Sequence, residues 1–157
     1  MTPKSAEVSR THMTEYVLPT HTNALGNIFG GQILAWIDLC AAICSQRHAG
    51  TICVTAGIDD LSFEQPVTVG QVVRLEASVT ATFRTSLEVR VMVRGEDPSS
   101  GETWPCVEAF LAFVALDAHG KPAPVPPLAV TSVDEQLLEA DAHVRKQQRL
   151  ERAKRRR

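Results

Sequence analysis

Aromatic residues are scarce: five Phe, two Trp and one Tyr in 157 residues. The core must therefore be built mostly from Val, Leu, Ile and Ala. Also missing is any apolar run near the roughly 18 to 20 residues that span a bilayer. The opening MTPKSAEVSRTH has no apolar stretch of the kind a secretory signal needs, so a cytoplasmic location is expected. No CxxC pair occurs. Cys40, Cys44, Cys53 and Cys106 are too sparse for a zinc site and read as buried free thiols. No metal and no organic cofactor is implied, and no nucleic-acid partner is expected.

What is there fits one ordinary domain: 44% apolar and 22% charged residues. The net charge is −2, unevenly spread. Residues 145–157 hold eight Lys or Arg against Glu151 alone, a net +7, which leaves −9 for residues 1–144. A basic tail on an acidic body suggests an anionic ligand or partner, or a solvated tail. The tail lacks a broad apolar stripe, so its removal is expected to leave the fold intact.

Residues 10–18 read as a ragged first strand ended by Pro19, and residues 20–31 as a loop rich in turn formers. Ile33, Leu34, Ile37, Cys40, Ala41 and Cys44 recur at spacings of three and four, which predicts a helix over about 31–47. Few polar residues interrupt it, so it is buried on most sides, and Gly50 suits its stop. Strands are expected at 51–63, 71–83, 86–94 and 104–116. In the second, Val73, Leu75, Ala77, Val79, Ala81 and Phe83 alternate onto one face. Arg84 and Thr85 form the hairpin to the third. The order is strand, buried helix, four strands: an α+β layout, with an antiparallel sheet packed on one helix. The Pro-rich 122–127 stretch closes the domain, and 133–157 reads as a charged helix. The resulting division is a tail over 1–9, a domain over 10–127, and a charged helix with its basic tail over 128–157.

Asp38 is the odd residue of the apolar helix. A carboxylate there either faces solvent, pairs with a donor, or is functional. The Gly30-Gly31 pair at the helix start is a plain tight turn or a place where free N–H groups receive a developing oxyanion. Asn23 is a turn former or a side-chain amide aimed at a carbonyl or a water.

Taken together, the run HTNALGNIFGGQILAWID over residues 21–38 resembles the hotdog-fold acyl-CoA thioesterases, in their cytosolic acyl-CoA hydrolase branch. The stretches at 54–73, 84–91 and 113–126 look like the same family, and the resemblance covers about residues 10–127. Two positions depart from it: Phe83 stands where Gly is expected, and Gly57 where a small side chain with a Cβ is more usual. The resemblance implies a sheet wrapped around the helix. It implies dimers with two active sites at the interface, Asn23 from one protomer and Asp38 from the other, commonly assembled as trimers of dimers into hexamers. It implies hydrolysis of acyl-CoA to a fatty or other carboxylic acid and CoA. Asp38 would be base or nucleophile, with Gly31 and Gly30 as oxyanion hole. Coenzyme A then enters only as part of substrate and product. Its phosphates need cations, for which Arg84 with Thr85 and Ser86 is the candidate; for Arg84 the plain alternative is a solvated turn residue. Arg47 and the basic tail are weaker candidates. A hotdog hydratase would carry a His about five residues after the helical Asp, where Ile43 stands. A non-catalytic acyl-CoA sensor would need neither Asn23 nor Asp38.

Overall fold

A computed structural model describes residues 1–59 and 61–157. The elements in chain order are β1 (Lys4–Ser5), α1 (Ala6–Ser9), β2 (Thr11–Tyr16), α2 (Gly30–Ala49), β3 (Cys53–Ile58), β4 (Val72–Thr82), β5 (Ser86–Glu96), β6 (Thr103–Ala115), β7 (Leu128–Ala129) and α3 (Val133–Arg155). Five strands form one antiparallel sheet in the order β2-β4-β5-β6-β3. It curls around α2 in the hotdog manner.

The α2 helix stops where expected. Gly50 turns left-handed at φ 73° and its N–H donates to the Gln46 carbonyl at 2.8 Å. That backbone geometry costs a glycine little. Ile33, Ile37, Cys40 and Cys44 of α2 meet the inner sheet face, formed by Val73 and Leu75, Val89 and Val91, and Leu111 and Phe113. All are essentially dry. Each such large side chain contributes about 1.5–3 kcal/mol by leaving water.

The expected alternation along β4 breaks at one point. Pairing slips between Val79 and Ala81, so Thr80 is an extra residue in the ladder. A bulge shifts the side-chain phase by one. Ala81 therefore pairs with Glu88, and Phe83 follows onto the outer face instead of the core. The hairpin itself stands as expected: Phe83 N–H donates to the Ser86 carbonyl at 2.8 Å, with Arg84 and Thr85 between. β3 is shorter than the 51–63 run because the chain leaves the ladder after Ile58.

The α3 helix lies across the outer face. Ser132 Oγ caps it by accepting from Glu135 N–H at 3.1 Å. Arg145 grips Glu88 with two hydrogen bonds of 2.9 and 2.8 Å, and Thr80 Oγ1 donates to the same carboxylate at 2.6 Å. The Arg145 guanidinium also sits 3.6 Å above the centre of the Phe110 ring. Further along, Arg149 donates to Asp59 at 2.8 Å. The solvated reading of the tail is thus corrected for Arg145 and Arg149, while residues 150–157 are exposed as that reading expected. The Glu88 side chain is 0% exposed, and the tail supplies its cations. An apolar stripe is not needed where buried charges do the docking.

Residues 4–9 are also placed. β1 pairs in parallel with β7, and Lys4 Nζ donates to the His48 carbonyl at 2.9 Å. His48, buried in the last turn of α2, donates from Nε2 to the Pro126 carbonyl at 2.9 Å. All four cysteines are free and buried, as expected. No described helix is long and apolar enough to cross a membrane.

Candidate active site

The loop that carries Asn23 is tied to itself, to the Val67 segment and to α2. Phe29 N–H donates to the His21 carbonyl at 2.9 Å, and Ile28 N–H to that of Val67 at 2.8 Å. The His21 ring meets Trp36 of α2 edge-on, with centroids 5.0 Å apart. Asn23 Oδ1 accepts from the N–H of Leu25 at 2.9 Å and of Asn27 at 3.2 Å. The turn-forming reading of Asn23 therefore holds: its oxygen is spent on the turn, and the amide nitrogen remains available to donate.

Asn23, Gly30, Ile28, Ile33, Phe63 and Cys106 line a cleft of about 290 Å³. Gly30 and Gly31 open α2, and the first N–H groups of any helix lack partners within it. A Cβ on Gly30 would stand 3.2 Å from the Phe63 ring, whereas one on Gly31 would meet nothing within 4 Å. No steric demand within the chain calls for glycine at position 31. The bare backbone leaves its N–H open to an approaching group.

Asp38 is half-buried and accepts a hydrogen bond of 2.7 Å from Thr55 Oγ1 on β3. Thr55 was not singled out by the sequence. It lies on another element, and a Thr in a strand is otherwise unremarked. Gly31, Ala35 and Asp38 follow one another at helical spacing, so they share one stripe of α2. Gly31 and Ala35 are exposed, so no bulky side chain of that stripe stands between the helix start and the carboxylate. Along the axis Gly31 and Asp38 are about 10 Å apart. Asp38 does not line the Asn23 cleft. A single chain therefore does not bring Asn23 and Asp38 together.

Of the cationic candidates, Arg84 is exposed at the hairpin tip. Its carbonyl accepts from Val125 N–H at 3.1 Å, and that of Thr85 from Ala115 N–H at 3.0 Å, so the tip is fixed. Ser86 pairs with Val114, which neighbours Val54 on β3. The tip thus stands two strand spacings, about 10 Å, from β3 beside Thr55. Arg47 is already engaged, donating to Thr11 Oγ1 at 3.1 Å.

The thiols offer no nucleophile. Burial pushes Cys40 up to about 12 and Cys44 and Cys106 to about 11. At those values the thiolate is negligible near neutrality. Among the described residues no group of three or more His, Cys, Asp or Glu is placed to hold a metal ion.

Comparison with known proteins places this geometry. The family model described as "Thioesterase superfamily" matches residues 25–102. An acyl-CoA thioester hydrolase of Bacillus subtilis, itself uncharacterised, is 37% identical over 90% of this chain and 82% of its own length. Acyl-coenzyme A thioesterase 11 of Mus musculus is 43% identical over 68% of this chain, which spans only 18% of that protein. Among solved structures, an apo-hexameric acyl-CoA thioesterase superposes with a TM-score of 0.92, at 44% identity, over 98% of both chains. An acyl-CoA hydrolase of Staphylococcus aureus, in complex with butyryl coenzyme A and coenzyme A, does so at 0.88 and 33% identity over 96% of this chain and 92% of that one. Variants of that enzyme with one Asp, one Thr or one Asn replaced by Ala have also been solved. The curled antiparallel sheet around α2, the Gly-Gly opening of that helix and these relatives agree, and the chain belongs to the hotdog-fold acyl-CoA thioesterase family.

Proposed function

We propose that the protein hydrolyses acyl-CoA thioesters at sites shared between two protomers, with Asp38 from one and Asn23, Gly30 and Gly31 from the other. The observation that carries this reading is the roughly 10 Å between Gly31 and Asp38 along α2. One carbonyl carbon cannot lie within about 3 Å of both in the same chain. Leu39, Ile43, Ile52, Val54 and Ile58 are exposed around Asp38 and Thr55, and β3 is an edge strand. An apolar patch beside an open strand edge calls for a partner. A second copy would cover it and deliver an Asn23 loop to each Asp38, and a trimer of such dimers agrees with the hexameric neighbour. The replaced Asn, Asp and Thr of the Staphylococcus aureus enzyme are spaced along that chain as Asn23, Asp38 and Thr55 are here.

In the general-base course, Asp38 takes a proton from water as its oxygen attacks the thioester carbonyl. The tetrahedral oxyanion rests on the Gly31 N–H, with that of Gly30 beside it and the Asn23 amide donating. Collapse breaks the C–S bond, and CoA leaves as thiolate. In the nucleophilic course, Asp38 itself attacks, and water opens the mixed anhydride. One turnover in H₂¹⁸O separates them when water opens the anhydride at its Asp38 carbonyl: the label then enters the Asp38 carboxylate, whereas in the general-base course it enters only the released acid. Arg84, Thr85 and Ser86 take the CoA phosphates. The hydratase alternative would need a base where Ile43 stands. The four free thiols fit a reducing compartment, so a cytoplasmic location goes with this reading.

The test uses Asn23→Ala and Asp38→Ala. Each homodimer should be nearly inactive. Refolded together in equal amounts, about half the dimers are mixed, and each mixed dimer keeps one intact site, so roughly a quarter of wild-type activity returns. No recovery, with mixed dimers verified by mass, would reject the shared site. Full activity of Asp38→Asn would reject the chemistry.

A further inference from the structure

The cleft beside Asn23 has walls of one kind and a rim of another. Ile28, Ile33 and Cys106 line it and are nearly dry, with Phe63 beside them. Among the described residues Glu64 is the only charged side chain of the lining, and no Lys or Arg joins it there. Its backbone is fixed, since Glu64 N–H donates to the Cys106 carbonyl at 2.9 Å. Its carboxylate is exposed, and among the described residues no ion pair engages it. That charge is felt inside the cleft. Burial first, and then the Glu64 carboxylate, raise the Cys106 thiol to about 11.

Under the shared-site reading the thioester carbonyl rests against Gly31, Gly30 and Asn23 of one protomer, and its two arms part there. The CoA arm runs toward an Arg84 hairpin, which stands about 10 Å from β3 beside Thr55, on the protomer that supplies Asp38. The acyl arm is left with the cleft that Asn23 and Gly30 border. Methylene groups suit its walls. A second carboxylate on the acyl group does not. It would have to shed water beside a like charge, with no cation on the lining to receive it.

We propose that Glu64 selects the acyl group at this cleft, admitting uncharged chains and turning away those that end in a second carboxylate. The proposal rests on the shared-site reading and adds the residue that sorts its substrates. Glu64 takes no part in bond making or breaking. It acts by charge across the cleft, so its effect falls on kcat/KM for one class of acyl group and follows ionic strength.

Rates of CoA release by the full chain from pentanoyl-CoA and glutaryl-CoA test it. The two acyl groups have equal carbon counts, and only the second ends in a carboxylate. Wild type should have the higher kcat/KM for pentanoyl-CoA. Glu64→Gln should raise the glutaryl-to-pentanoyl ratio by about fivefold to tenfold, and Glu64→Lys by more. Salt gives the same reading on wild type alone. The ratio should rise between about 0.01 M and about 1 M salt, as the screening length falls from roughly 30 Å to roughly 3 Å. Glu7→Gln removes an equal charge beside Arg10, near Arg47 at the opposite end of α2, and should leave the ratio as it is. A ratio unmoved in both Glu64 variants, or moved as far by Glu7→Gln, would overturn the proposal. So would a wild type that treats the two substrates alike at low salt. Release of CoA from neither substrate would instead remove the thioesterase reading itself.

Discussion

The two faces of the sheet are covered by helices of opposite character. On the inner face, α2 meets Val, Leu, Ile and Phe side chains, and the contact is dry and apolar. On the outer face, α3 meets Glu88, Asp59 and Phe110 through arginines. The first contact is written in periodicity and can be read from either helix or strand alone. The second depends on pairs far apart in sequence, each meaningless without its partner. The difference also sets how each fails. An apolar contact weakens in proportion to what is removed. A buried ion pair fails abruptly, because the surviving charge is left in a dry site.

The largest expected effects test that contrast directly. On the inner face, Phe113→Ala should cost about 3–5 kcal/mol of unfolding free energy, as for large core truncations generally. On the outer face, Arg145→Ala should cost a comparable amount, about 3–5 kcal/mol, although Arg145 is partly exposed and carries no core side chain. Denaturant titration measures both. The double variant Glu88→Leu with Arg145→Met separates the mechanisms. It should recover most of the loss, since an apolar pair can replace a buried ionic one. A double variant no better than Arg145→Ala would show that α3 docks by something other than this pair. Deleting residues 145–157 should destabilise in the same way and not leave the fold intact.

Next in size is Thr55→Val. The fold should persist, and kcat should drop by about tenfold or more, the scale of one hydrogen bond to a charged group at about 1.5–3 kcal/mol. An unchanged kcat would mean that Asp38 needs no help from β3.

The smallest effect concerns His48. Burial lowers its pKa below the ordinary 6.5, while the hydrogen bond to Pro126 works the other way. The folded state therefore resists protonation more than the unfolded chain does. The stability present above pH 6.5 is lost as the pH falls below that value and through the lowered folded pKa. Wild type should lose more stability than His48→Gln between pH 7.5 and 5.5 in urea titrations. Equal losses would place the acid sensitivity elsewhere.

Much of the inner half was legible in the sequence. The α2 helix, its Gly50 stop, the hairpin at Arg84 and Thr85 and the isolation of Asp38 all follow from local pattern. Other features have no local trace. Thr55 is found only once β3 is laid beside α2. The Thr80 bulge leaves the apolar alternation of residues 71–83 looking unbroken, and so Phe83 reads as core. The docking of α3 is hidden because its charges look like those of any solvated helix until Glu88 and Asp59 are seen beneath them.

The parallel pairing of Lys4–Ser5 with Leu128–Ala129 has a consequence for the order of folding. The two partners are separated by most of the chain, so their contact is among the least local in the molecule, and closing so large a loop is slow. During synthesis the β1 segment must wait, unpaired, until β7 has been made. By then the β4–β5 hairpin, whose strands are adjacent in sequence, has had its partners available from the start. Residues translated well before their partner are thus expected to be among the last to acquire native contacts. A hydrogen-exchange pulse during refolding should find the β1 amides unprotected after those of β4 and β5 have closed.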